Sequence, residues 1–250
     1  MLSTFEISAA DPSVAGVNLV SPEDNATALR DYDLQMAILG YLKDTFKGKS
    51  PLRVTLHAGE LTPALVPAAN LASHIRDAVE IAHAERIGHG VDVLGEREAA
   101  GLLAEMRERG VTVEVCLTSN AVILGVAGAA HPLAAYLAAG VPATLGTEDA
   151  GVSRSSLTGE YQRAVTVQGL TYPQIKTMAR RSLEAAFLPG ASVWASFAEA
   201  RLAGGCTIPE PPRAGGVAPA SEVCAAYLAA SPRARLQRKL EGQLAAFEAE

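Results

Sequence analysis

"LRVTLHAGE", residues 52–60, is an apolar run rich in β-branched residues that breaks into His57, Gly59 and Glu60. Such a run reads as a buried strand, and the residues at its end as its chemistry. Four other runs share this build: "VAGVNLV" (14–20), "ERIGHGVDV" (85–93), "VTVEVCLTS" (111–119) and "VPATLGTED" (141–149). Between them lie stretches of helical period. "NLASHIRDAVEIAHAE" puts Leu71, Ile75, Ala78, Val79 and Ala82 on one face, and "EREAAGLLAEMRERG" stops on Gly110.

The strand ends fall near residues 20, 57, 89, 118 and 147, about 37, 32, 29 and 29 residues apart. That spacing is close to the roughly 30 residues of a βαβ unit. Repeated units of this length predict an α/β fold with a parallel sheet covered on both faces. An open dinucleotide-binding sheet lacks its Gly-x-Gly-x-x-Gly fingerprint here. In a (β/α)8 barrel the working residues collect at the C-terminal ends of several strands. His57 with Glu60, then His89, then Thr118, Ser119 and Asn120, then Glu148 with Asp149 do so. The expectation is therefore a partial (β/α)8 TIM-type barrel of about five βα units over residues 1–190. A helical extension follows over 191–250, with a Gly/Pro-rich linker at 204–221 and no strand signal. A closed barrel would need roughly three more units, near 90 residues at this spacing.

Composition sets the outer limits. Of 250 residues, 49% are hydrophobic and 19% charged, the balance of a globular core with an ordinary surface. The net charge is −6 with no Lys/Arg block, which argues against a nucleic-acid partner. "SPRARLQRKLEGQ" alternates basic and apolar residues as a solvated helix does. The N-terminus lacks the build of a signal peptide, and no apolar run reaches the roughly 18 residues of a membrane span. Cys116, Cys206 and Cys224 are odd in number and lack C-x-x-C spacing, so a reducing cytoplasm is the expected setting.

Residue chemistry narrows the site. His57 is a candidate metal ligand, and Glu60 a candidate general acid once burial raises its pKa. Each also has a plain reading, as a strand-end cap and a helix start. His89 lies between Gly88 and Gly90, whose missing side chains let a ligand approach. His74, His83 and His131 belong to helical stretches and read as structural or surface residues. Thr118, Ser119 and Asn120 either bond a substrate or cap the next helix; capping is the simpler reading. Together, His, Glu, His and an acidic pair at three strand mouths fit hydrolysis at a zinc ion.

"HAGE", "RIGHG", "EVCLTSN" and "TED", in this order and spacing, resemble the adenosine deaminase family of metal-dependent (β/α)8 purine deaminases. The resemblance runs from about residue 14 to 190 and matches the last five units of the family domain. It implies that His57 and Glu148 bind zinc, and that Glu60 protonates the purine ring nitrogen. His89 would orient and deprotonate the metal-bound water, and Asp149 would contact the substrate. The implied reaction is hydrolysis of adenosine to inosine and ammonia, with a purine nucleoside as partner.

Three departures stand against this pattern. The family's H-x-H pair has no counterpart in the chain. Its Asp-Asp pair reads Glu148-Asp149, and Asn18 and Ser21 stand where an aspartate and a glycine are usual. With His57 and Glu148 alone, zinc would have two protein ligands where a catalytic site uses three, so binding should be weak or absent. The expectations are a truncated, inactive piece of a deaminase or a degenerate relative that binds a purine or a protein. A hydrolase of another purine is a third alternative. Missing strands would leave open sheet edges that invite self-association.

Overall fold

The computed structural model describes residues 1–208 and 220–250, so most of the Gly/Pro-rich linker read at 204–221 lies outside the described residues. The chain divides into two compact units, Met1–Arg181 and Ser182–Glu250.

The first unit alternates helix and strand. Helix α1 (Leu2–Ala10) precedes β1 (Gly16–Val17) and α2 (Ala26–Thr45). Then come β2 (Arg53–Ala58), α3 (His74–Glu80), β3 (Arg86–His89) and α4 (Ala99–Arg109). The unit continues with β4 (Thr112–Val115), α5 (Leu117–Ile123), α6 (Leu133–Ala139) and β5 (Ala143–Leu145). Helices α7 (Ala150–Ser153) and α8 (Leu157–Thr166) follow, and α9 (Tyr172–Glu184) runs across the boundary.

The five strands form one parallel sheet in chain order, β1-β2-β3-β4-β5. Each crossover adds its strand beside the previous one, which is how a barrel wall grows. The five strand runs of the sequence are thus the five observed strands, and the architecture is a partial barrel. Val54, Leu56, Ile87, Val113 and Val115 of the strands are at most 1% exposed. They pack in one core with Met36, Leu39, Ile75, Leu102, Met106 and Tyr136 of the crossover helices. The face read from sequence is the buried one: Leu71, Ile75, Ala78, Val79 and Ala82 are all buried. Gly110 closes α4 at φ 69°, the left-handed stop that glycine supplies without strain.

The second unit holds two strands that the sequence did not signal. Trp194–Ser196 (β6) pairs antiparallel with Arg201–Leu202 (β7). Strands of two or three residues are too short to show alternation. Helices α10 (Glu222–Ala230) and α11 (Pro232–Glu248) start on Ser221 and Ser231, whose hydroxyls accept the amides of Cys224 and Ala234. Gln237 of α11 accepts the amide of Val193 at 2.8 Å, tying helix to hairpin. The cysteine expectation needs correction. Cys206 and Cys224 form a disulfide and only Cys116 is free, which withdraws the cysteine argument for a reducing compartment. Among the described residues, no helix is long and apolar enough to cross a membrane.

Candidate active site

Three strand ends of the sheet deliver the chemistry. In the parallel register His57 pairs with Gly88 and Ala58 with His89. Strict alternation would send the two imidazoles to opposite faces of the sheet. His89, however, has φ 69°, and this left-handed kink breaks the alternation at the strand's last residue. The rings of His57 and His89 end up 4.9 Å apart, centre to centre. Glu148, also left-handed at φ 53°, brings Oε1 to 3.7 Å from His57 Nε2 and 3.4 Å from His89 Nε2. Glu60 Oε1 lies 3.5 Å from His89 Nδ1. A cavity of about 320 Å³ opens onto His57, Glu60, Glu148 and Asp149, walled by Ser21, Glu23 and Ile123 among others.

The electrostatics separate the carboxylates. Burial raises the pKa of Glu60, whose Oε1 is buried without a hydrogen-bond partner among the described residues. The His89 hydrogen bond holds Glu148 down at about 2 in spite of burial. Burial lowers His57, with the neighbouring His89 adding to the effect. For His89 burial also opposes charge, but Glu148 and Glu60 outweigh it and its pKa lies above the usual value. Two carboxyl groups pushed in opposite directions in one pocket suit an acid and a base.

All five site residues read from the sequence therefore meet in one place: His57, Glu60, His89, Glu148 and Asp149. The sequence reading missed those that hold them. Glu23, between β1 and α2, accepts the amides of Gly59 at 2.9 Å and Glu60 at 2.7 Å. Its Oε1 is also 2.6 Å from Nδ1 of His74, whose ring stacks on Tyr32 at 3.9 Å. Asn18 takes the place beside His57, its Oδ1 accepting the His57 amide at 3.2 Å, with its Nδ2 at 3.1 Å and its Oδ1 at 3.3 Å from Nδ1. The capping role read for Ser119 and Asn120 is wrong in position. Cys116 occupies the N-cap of α5, and both residues lie inside the helix. Asn120 instead reaches His89, and buried His131 reaches Asn120.

Can these residues hold zinc? His57, His89 and Glu148 each offer an atom within 4.8 Å of the others. A catalytic zinc takes at least three protein ligands. His57 supplies one when Asn18 Oδ1 accepts its Nδ1–H, and Glu148 supplies a second. His89 is a third only with a free lone pair on Nε2. The Asn120 amide lies 3.0 Å from its Nδ1, and with Nδ2 donating there the ring proton sits on Nε2. With that orientation the set is one ligand short of a catalytic zinc site.

Comparison with known proteins places the chain. The family model for adenosine deaminase matches residues 3–194. The adenosine deaminase of Serratia proteamaculans is 41% identical over 138 residues, 55% of this chain and 38% of that protein. The adenine deaminase of Rhizobium rhizogenes is 32% identical over 184 residues, 73% of this chain and 51% of that protein. The chain thus spans about half, or less, of the curated relatives it matches. Among solved structures, adenine deaminase from Arthrobacter aurescens shares the fold, with a TM-score of 0.56 at 24% identity. That match covers 75% of this chain and 53% of the other. The N6-methyl-AMP deaminase of Arabidopsis thaliana gives a TM-score of 0.54 at 26% identity, covering 75% and 50%. The chain belongs to the adenosine deaminase family.

Proposed function

We propose that this chain carries the substrate-protonating half of a purine deaminase site, for hydrolysis of adenosine to inosine and ammonia. The observation that carries the reading is Glu60: its carboxyl is raised in pKa by burial, its Oε1 has no hydrogen-bond partner among the described residues, and it faces the cavity with His57 and Glu148. A carboxyl whose pKa is raised holds its proton more readily and can donate it to a purine ring nitrogen, which makes C6 electrophilic. Water then adds at C6 and the amino group leaves as ammonia. Asp149 at the cavity wall accepts from the substrate or the water, and His89 orients the attacking oxygen. Curated relatives named for adenosine and for adenine support a 6-aminopurine substrate. An Arabidopsis neighbour was solved with GMP, at 25% identity and a TM-score of 0.55, so a nucleotide belongs in the test.

On the same reading, residues 1–190 are the barrel part and 191–250 an extension. The experiment is ammonia release from adenosine, adenine and AMP side by side, with and without added zinc. With the zinc set one ligand short, the expected result is weak turnover of one of them, falling further by about 10²-fold or more in Glu60→Gln. A folded chain that releases no ammonia from any of the three sinks the catalytic reading.

A second reading has its own support, the donor set that lacks a third ligand. In it the chain is a non-catalytic relative that binds a purine or a protein through the same cavity. Calorimetric binding of adenosine without turnover would favour it.

A further inference from the structure

We propose that His131 and Asn120 are positioning residues that set the tautomer of the neutral His89 ring, with Nδ1 bare and the proton on Nε2, facing Glu148. This deepens the purine deaminase reading above and rests on it for its functional meaning.

A backbone amide, which can only donate, sets the direction of the relay. Leu133 N–H, at the start of α6, donates to Nδ1 of His131 at 3.1 Å. Nδ1 is therefore an acceptor, and a neutral imidazole that accepts at one nitrogen carries its proton on the other. His131 is neutral, since burial pushes its pKa down to about 4. Its Nε2–H must then donate to the atom 3.1 Å away, Oδ1 of Asn120. This fixes which way the Asn120 amide faces, for the flipped orientation would set an N–H against an N–H. Nδ2 of Asn120 in turn meets Nδ1 of His89 at 3.0 Å and donates to it. The only ring nitrogen of His89 left for a proton is Nε2, which faces Glu148 Oε1 at 3.4 Å.

All three side chains are at most 2% exposed, so no water competes for these bonds. Two groups pull the other way. Glu148 and Glu60 favour a charged His89, and Glu60 Oε1 is the other acceptor near Nδ1, at 3.5 Å. A second proton on Nδ1 would face the Asn120 donor at 3.0 Å, setting two donors against each other at a buried site. Glu60 Oε1, at 3.5 Å from Nδ1, lies farther off than the Asn120 amide at 3.0 Å, which makes the shorter bond. A base at this position would need the opposite tautomer, with Nε2 bare.

The test is two-bond 1H–15N NMR of the full chain with 15N-labelled histidine, each ring assigned by single replacement. The expected spectrum shows a bare Nδ1 and a protonated Nε2 on both His89 and His131. In Asn120→Asp the carboxylate becomes an acceptor for Nδ1, and His89 should gain an Nδ1 proton. A wild-type His89 protonated on Nδ1 overturns the proposal, whether or not Asn120→Asp folds. So does an Asn120→Asp chain that folds and leaves the His89 pattern unchanged. Neither spectrum depends on turnover. A chain that deaminates nothing yet shows Nε2–H on His89 supports the relay and counts against the purine deaminase reading alone.

Discussion

Glu23 holds Glu60 by its backbone: the Glu23 carboxylate accepts the Glu60 amide at 2.7 Å, across 37 residues of sequence. The same carboxylate takes the Gly59 amide and His74 Nδ1. Glu60 is thus aimed by a second, fully engaged acid. Replacing Glu23 with Ala would strand two amides and an imidazole in a buried place. The expected loss is about 3 kcal/mol, a fall of roughly 6–12 °C in Tm for a chain of this size. Thermal denaturation followed by circular dichroism measures it, and a Tm unchanged from wild type would show that Glu23 anchors nothing.

Gly59 sits at φ 76°, and a Cβ built there would come within 2.3 Å of Asp92 Oδ1 and 2.6 Å of Ile75 Cδ1. Gly59→Ala should therefore combine backbone strain with a clash, destabilising by more than about 2 kcal/mol. Urea denaturation checks this. Gly48, also left-handed but with nothing within 4 Å, is the control that should lose less on the same change.

Asp92 gives the protein a pH signature. Burial, with Glu23 and Glu96 nearby, raises its pKa from 3.8 to about 8. Below about pH 4 the folded and unfolded chains both hold this proton. Between about 4 and 8 the unfolded chain releases it and the folded chain keeps it, so stability falls with rising pH by up to about 1.4 kcal/mol per unit. Above about 8 the loss is complete. Asp92→Asn should stabilise the chain at pH 7 and flatten its denaturant midpoint across that window. A midpoint that falls equally in both proteins would rule this origin out.

Zinc should bind weakly, well short of the roughly 10 kcal/mol or more of complete structural sites. His57→Ala and Glu148→Ala should remove the remaining affinity, while His89→Asn should leave it. Competition against a chelating dye measures all four proteins. Nanomolar binding by wild type that disappears in His89→Asn would make His89 a ligand after all.

The sequence was informative where the pattern is local. Strand runs ending near residues 57 and 89 meet strands that end at Ala58 and His89, because burial on both faces leaves a continuous apolar signature. The candidate site was legible for a related reason, since polar residues stand out at the ends of such runs. Its supports were not legible. Asn120 and His89 are 31 residues apart, and His74 and Glu23 are 51 apart. Each pair reads as an ordinary helix residue and an ordinary loop or strand residue until the fold brings them together. The β6–β7 hairpin and the Cys206–Cys224 bond escaped for a different reason: short strands and isolated cysteines carry no periodicity at all.

The left-handed backbone at His89 also bears on how this site would decay. Few residues other than glycine accept that conformation easily, and asparagine, aspartate and histidine lead among them. A lineage released from selection for chemistry would drift at this position toward Gly or Asn, which relieve the kink, and away from Gln, Lys or any β-branched residue. An Asn or Gly following "RIG" in a descendant would then mark a pseudoenzyme that kept its fold, whereas a bulky branched residue there would mark one that is losing it.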